Sequence, residues 1–202
     1  MHQSGPAGCD AAISCSVRQG AGASGLSGYL SKEEVIRHWR LSSGRAGEWR
    51  EIRLESLRVA AESFDTVLTD WQDRPLADFA ARLDKVPTFA AGAEIGSPLA
   101  VASWQAQLDA RDLQRGWLLS VYARPKARGR GFAEAAIRAV LNDSVSAGMT
   151  SAGLHVLAEN SHAISLYRRL GFVETGREGL VNARGAPEIE MILPFGVPDD
   201  RL

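Results

Sequence analysis

Only two cysteines occur in 202 residues, and the five residues between Cys9 and Cys15 fit neither a zinc knuckle nor a redox Cys-x-x-Cys pair. They are expected to be incidental reduced thiols, and no metal site is expected. Long apolar runs are also missing: nothing approaches the roughly 18 residues of a membrane span. The N-terminus has no basic stretch followed by an apolar core. A soluble, cytoplasmic chain with no membrane partner is the expectation. The formal net charge is only −1, which lacks the cationic surplus that replaces counterions on a polyanion, so no nucleic-acid partner is expected. A Gly-Lys-Ser/Thr phosphate loop is absent, and Gly129-x-Gly131 places Glu134 where a dinucleotide fingerprint needs its third glycine.

What is present is ordinary globular material, 45% hydrophobic and 23% charged. The length suits one well-buried domain. Residues 1–33 are rich in Gly, Ser and Ala without apolar periodicity, so they cannot repay the entropy of ordering and are expected to be a disordered extension. The domain is expected over 34–195, with a short tail over 196–202.

The order of elements follows from periodicity. Alternation over 35–41 predicts a strand ending at Ser42-Ser43-Gly44. Leu54, Leu57, Ala61 and Phe64 recur at helical spacing, as do Leu76, Phe79, Ala80 and Leu83, with Pro75 expected in the first turn of that second helix. Residues 87–91 and 99–105 predict a hairpin around Gly96-Ser97-Pro98. The run over 117–123 is apolar on both faces, as a central strand covered on both sides would be. A helix with Ile137, Val140 and Leu141 inward follows, ending near Gly148. Leu154, Val156 and Ala158 share one face of the next strand, with His155 and Leu157 on the other. A short helix over 162–170 and strands over 173–175 and 188–193 complete the order β-α-α-β-β-β-α-β-α-β-β.

Between the apolar run and the helix stands Arg128-Gly129-Arg130-Gly131-Phe132-Ala133. Two glycines in such a turn expose backbone N–H groups, and the positive end of the helix dipole points into the same space. That combination receives phosphate. Downstream, Asn160 is followed seven residues on by Tyr167, then by Leu170-Gly171-Phe172.

Together the two segments resemble the GNAT superfamily of acetyl-CoA-dependent N-acetyltransferases. Its first signature is Arg or Gln, two residues, Gly, one residue, Gly or Ala, and Arg128, Gly131 and Ala133 fill it; Asn160 and Tyr167 fill the second. The resemblance is specific over 117–177 and looser back to about residue 35. It implies an α/β fold of α+β type, with a mixed, mostly antiparallel sheet of about seven strands, splayed between the fourth and fifth and flanked by about four helices. The element order read from periodicity agrees.

The resemblance further implies acetyl-CoA as cosubstrate and an amine-bearing acceptor. Arg128, Gly129, Arg130, Gly131, Phe132 and Ala133 would hold the diphosphate, chiefly through main-chain N–H groups, with Gly131 and Ala133 small enough for close approach. The main chain of Val121, Tyr122 and Ala123 would align the pantetheine arm, with Asn160, Ala163 and Tyr167 opposite. Asn160 also suits a helix N-cap, although Ser161 competes for that place. Tyr167 would donate a hydrogen bond or proton to the departing thiolate; its plainer alternative is a core tyrosine. Many relatives are dimers, so a homodimer is one state the resemblance allows.

The base is the weakest point of the pattern. A lysine-type amine is neutral about once in 2,500 at pH 7, costing about 4.6 kcal/mol, whereas an α-amine costs only about 1 kcal/mol. Many relatives carry a Glu on the fourth strand, but 117–123 contains no carboxylate. His155 is the candidate base, because imidazole ordinarily titrates near neutrality; Glu51, Glu55, Glu94 and Glu159 are weaker candidates, and proton loss through ordered water is equally admissible. The missing carboxylate also leaves a contrasting function open, a non-catalytic module that senses acetyl-CoA.

Overall fold

The computed structural model describes residues 35–106, 112–178 and 180–196. The expected extension over 1–33 lies outside the described residues, as does the tail beyond 196.

Eleven elements run in the expected order: β1 Arg37–Arg40, α1 Ala46–Val59, α2 Leu76–Lys85, β2 Thr88–Gly92, β3 Ala100–Ala106, β4 Arg115–Ala123, α3 Phe132–Ser146, β5 Ser151–Leu157, α4 Ser161–Arg169, β6 Val173–Glu174 and β7 Glu188–Pro194. They form a seven-stranded sheet ordered β1-β2-β3-β4-β5-β7-β6, in which β4 and β5 pair in parallel and every other pair is antiparallel.

The sheet is covered on both faces, which is why β4 reads as a continuous apolar run. One face packs Phe132, Ile137 and Val140 of α3 with Leu118, Leu154 and Met191. The other packs Trp49 and Ile52 of α1 and Phe79 and Leu83 of α2 with Trp39, Val101 and Tyr122. Leu118 and Tyr122 should share a face by strand alternation, yet they lie in opposite cores. A bulge explains this. Val101 pairs with Tyr122 and Ser103 with Leu119, so β4 carries one extra residue there, and Ser120 takes a left-handed φ of 52°.

Three local expectations shift. The first helix ends at Val59 rather than running through Phe64, because Ala60 leaves helical geometry at φ −136° and Phe64 is extended. Pro75 caps α2 from outside rather than sitting in its first turn, and Leu76 is exposed. Ala158 lies beyond the end of β5 and is exposed, so only Leu154 and Val156 bury that face. Among the described residues no helix is long and apolar enough to cross a membrane.

Candidate functional site

The parallel pairing of β4 with β5 lasts only from Arg115 opposite Ser151 to Trp117 opposite Gly153. Beyond it the strands part, and a cleft of about 1530 Å³ opens between residues 118–123 and the Leu157, Asn160, Ala163 and Tyr167 wall. From Leu119 to Ala123 the β5-facing edge of β4 has no strand partner. An open edge of unpaired backbone groups binds an extended chain bearing amides as readily as it binds another strand.

At the cleft, Gly129 and Gly131 hold left-handed φ values of 73° and 84°, which side chains disfavour. Gly131 is the N-cap of α3, and the first helical bond runs from the Ala135 N–H to the Gly131 carbonyl at 3.0 Å. The N–H groups of Phe132, Ala133 and Glu134 come before it and have no carbonyl within the helix to bond. Small size alone is therefore not what position 131 requires. Its φ demands glycine, and a Cβ there would stand 3.1 Å from Ile36 Cδ1.

The sides of this turn differ. Arg128, Gly129, Gly131 and Ala133 line the cleft. Arg128 Nε donates to the Ala123 carbonyl at 3.4 Å, and Arg130 donates to the Lys126 carbonyl at 2.9 Å with its guanidinium 5.3 Å over the Phe132 ring. The Phe132 side chain is fully buried in the core, so it presents only main chain to a ligand. Its burial, worth about 1.5–3 kcal/mol, pins the first turn of α3 behind Gly131.

The bulge governs the next group. It turns the Tyr122 ring toward α1, where the hydroxyl donates to Glu55 at 3.0 Å. Burial, then the Glu55 bond, push this phenol up to about 12. Val121 and Ala123 pack on the α3 face.

Asn160 Oδ1 accepts from the Ala163 N–H at 3.1 Å, so Asn160 is the N-cap of α4 and Ser161 is its first residue. Tyr167, two turns on, is 7% exposed with its ring edge-on to Phe172 at 5.9 Å. No hydrogen bond joins its hydroxyl to another described residue. Burial pushes that phenol far above its ordinary range, so it stays a proton donor at neutral and mildly alkaline pH.

His155 lies on the cleft side of β5, its ring 4.9 Å from that of Trp117. Its Nε2 is 3.2 Å from Glu190 Oε2, and its Nδ1 is 4.0 Å from Glu188 Oε2. The family model of the Acetyltransferase (GNAT) family matches residues 48–172, well over half the chain. This chain belongs to the GNAT acetyltransferase family.

Solved structures share the fold. A GNAT-family acetyltransferase from Streptococcus pneumoniae superimposes with a TM-score of 0.65 at 16% identity, covering 80% of this chain and 99% of that one. A GNAT superfamily phosphinothricin acetyltransferase from Sinorhizobium meliloti, solved with acetyl-CoA, gives 0.64 at 20% identity over 80% and 89%. The protein yncA from Salmonella typhimurium, with its cofactor acetyl-CoA, gives 0.61 at 20% identity over 82% and 98%. No curated protein matches the sequence.

Within this GNAT domain the sequence-level candidates separate. Glu51 and Glu55 are ion-paired with Arg124. Glu94 stands in the turn after β2, away from the cleft, while Glu159 lines it. Glu188 and Glu190 of β7 were not among the candidates, yet they flank His155. Burial raises the Glu188 carboxyl, with Asp65 adding to the shift and His155 opposing it. Burial would raise Glu190 too, but hydrogen bonds from His155, Thr175 and Arg177 and the Arg177 charge hold it below the usual carboxylate range. Among the described residues no group of three or more His, Cys, Asp and Glu side chains is placed to hold a metal ion.

Proposed function

We propose that this GNAT domain transfers the acetyl group of acetyl-CoA to a primary amine by direct attack within a ternary complex. One observation carries the proposal: a single cleft, opened where β4 leaves β5, is lined by the glycine turn, the unbonded Tyr167 hydroxyl and His155.

The chain's own groups divide the work. N–H groups at Gly131, Phe132 and Ala133, aligned with the α3 dipole, receive the diphosphate; Arg128 adds charge at the rim. The open edge of Val121, Tyr122 and Ala123 orients the pantetheine amides, with Asn160, Ala163 and Tyr167 on the facing wall. Acetyl-CoA supplies an activated acyl group.

His155 is the base. An Nε2–H donating to ionised Glu190 fixes the tautomer, leaving the Nδ1 lone pair to take the proton of an acceptor ammonium. Glu188, 4.0 Å beyond Nδ1, stabilises the imidazolium so formed. Tyr167 passes a hydrogen bond or proton to the sulfur as the C–S bond breaks. The two β7 carboxylates replace the one missing from β4, which favours turnover over a module that only senses the cosubstrate.

Mass spectrometry after incubation with acetyl-CoA tests this. The expected product is an acetylated amine, with no acetyl group left on the protein when amine is omitted. An acetyl-protein formed without amine would overturn direct attack.

A further inference from the structure

Besides Tyr167 and the Trp117 indole N–H, three side chains that line this cleft carry donors without a protein acceptor, and these three come from the two helices that cover the second core. Arg53 of α1 is 93% buried by its 7% exposure, and its guanidinium packs 4.9 Å from the Phe64 ring centroid and 5.9 Å from that of Trp49. Among the described residues it makes no side-chain hydrogen bond or ion pair. One terminal nitrogen of Arg82, on α2, is buried without a partner, and so is the Trp49 indole N–H. Arg53, Arg82 and Trp49 all line the cleft.

Such an arrangement is costly for the protein alone. Buried cations are normally paired, and an orphaned buried donor costs about 1–3 kcal/mol. Burial, and then the charge of Arg82, pull the Arg53 guanidinium down to about 10, and burial lowers Arg82 as well. Glu62 and Asp65, which also line the cleft, do not relieve them: neither makes an ion pair with either arginine, and Asp65 accepts from the Ala183 N–H at 2.9 Å. The cleft therefore has two electrical poles, the carboxylates flanking His155 and the pair of arginines on α1 and α2.

We propose that Arg53, Arg82 and the Trp49 indole form the anion-binding end of the acceptor subsite, so that the acceptor is an aminocarboxylate whose carboxylate they hold while its amine faces His155. Arginine suits this role because its planar fork meets a carboxylate in two parallel bonds. A carboxylate there satisfies the orphaned donors and neutralises the two like charges. The proposal rests on the acetyl-transfer function of the same cleft. The carboxylate can belong to a free amino acid or to an acidic residue beside a peptide N-terminus.

The test pairs each acid with its carboxamide: glycine, β-alanine, 4-aminobutyrate and L-glutamate, together with a tripeptide whose second residue is Asp or Asn. Release of CoA and quenching of tryptophan emission are both followed. At least one acid should exceed its amide about tenfold in kcat/KM, mainly through KM. That ratio should collapse in Arg82→Gln and return in Arg82→Lys; Arg53→Lys, which keeps the buried charge, should give an intermediate ratio if the first variant is poorly folded. Preference for the Asp tripeptide alone assigns the carboxylate to a peptide. Acids and amides turned over equally would overturn the anion site and leave acetyl transfer standing. Acids that quench emission selectively without any CoA release would sustain the anion site and overturn acetyl transfer. Absence of both selective binding and selective turnover would overturn the proposal.

Discussion

His155 and Glu190 are direct cross-strand partners on β5 and β7, with Nε2 3.2 Å from Oε2. Side chains opposed in an antiparallel ladder share a face, so the pair is fixed by sheet register rather than by loop conformation. Arg177 closes on the same carboxylate oxygen at 3.2 Å, which keeps Glu190 ionised beneath the imidazole.

His155→Ala should lower kcat by about tenfold or more at neutral pH, the usual scale for losing a general base, with little recovery at pH ~9. Steady-state rates across pH check this. A variant within about twofold of the parent throughout would remove His155 from the mechanism.

The same pair governs acid stability. Glu190 titrates lower in the folded chain than in the unfolded one, so its contribution is present above the unfolded carboxylate pKa of about 4.3 and is lost as pH falls through the lower folded value. Denaturant melts from pH ~6 down to ~3 should show the parent losing more stability than Glu190→Gln. Equal losses would mean that Arg177 and His155 do not favour the ionised carboxylate.

At the glycine turn, Gly131→Glu places a Cβ at φ 84° and 3.1 Å from Ile36 Cδ1, and sets a negative charge at the helix N-terminus that would receive phosphate. Left-handed strain alone costs about 1–2 kcal/mol. Calorimetric affinity for acetyl-CoA should fall by about tenfold or more. Unchanged affinity in a folded variant would mean the diphosphate binds elsewhere.

Much of this was legible in the chain because the signals are local. The glycine turn, the two-faced apolar run before it and the Asn160 to Tyr167 spacing each lie within a few residues of sequence, and they named the family. The element order followed from periodicity for the same reason. What stayed hidden depends on contacts distant in sequence. Glu188 and Glu190 meet His155 only through the β5 to β7 register, which no local pattern specifies. The bulge at Ser120 leaves no glycine or proline mark, so Val121 and Tyr122 could not be assigned to faces. Arg53 carries no local signal in the sequence; tertiary packing buries it, with the charge of Arg82 acting on it. Asn160 was ambiguous between cap and ligand because both uses draw on the same side-chain amide, and its oxygen is engaged as the cap.

The most direct measurement is release of CoA thiol from acetyl-CoA, with and without amine, by the parent protein and Tyr167→Phe side by side. The account predicts release only when amine is present, with kcat in the variant lower by about tenfold or more while calorimetric affinity for acetyl-CoA is retained. Release independent of amine, or equal turnover by the two proteins, would contradict it.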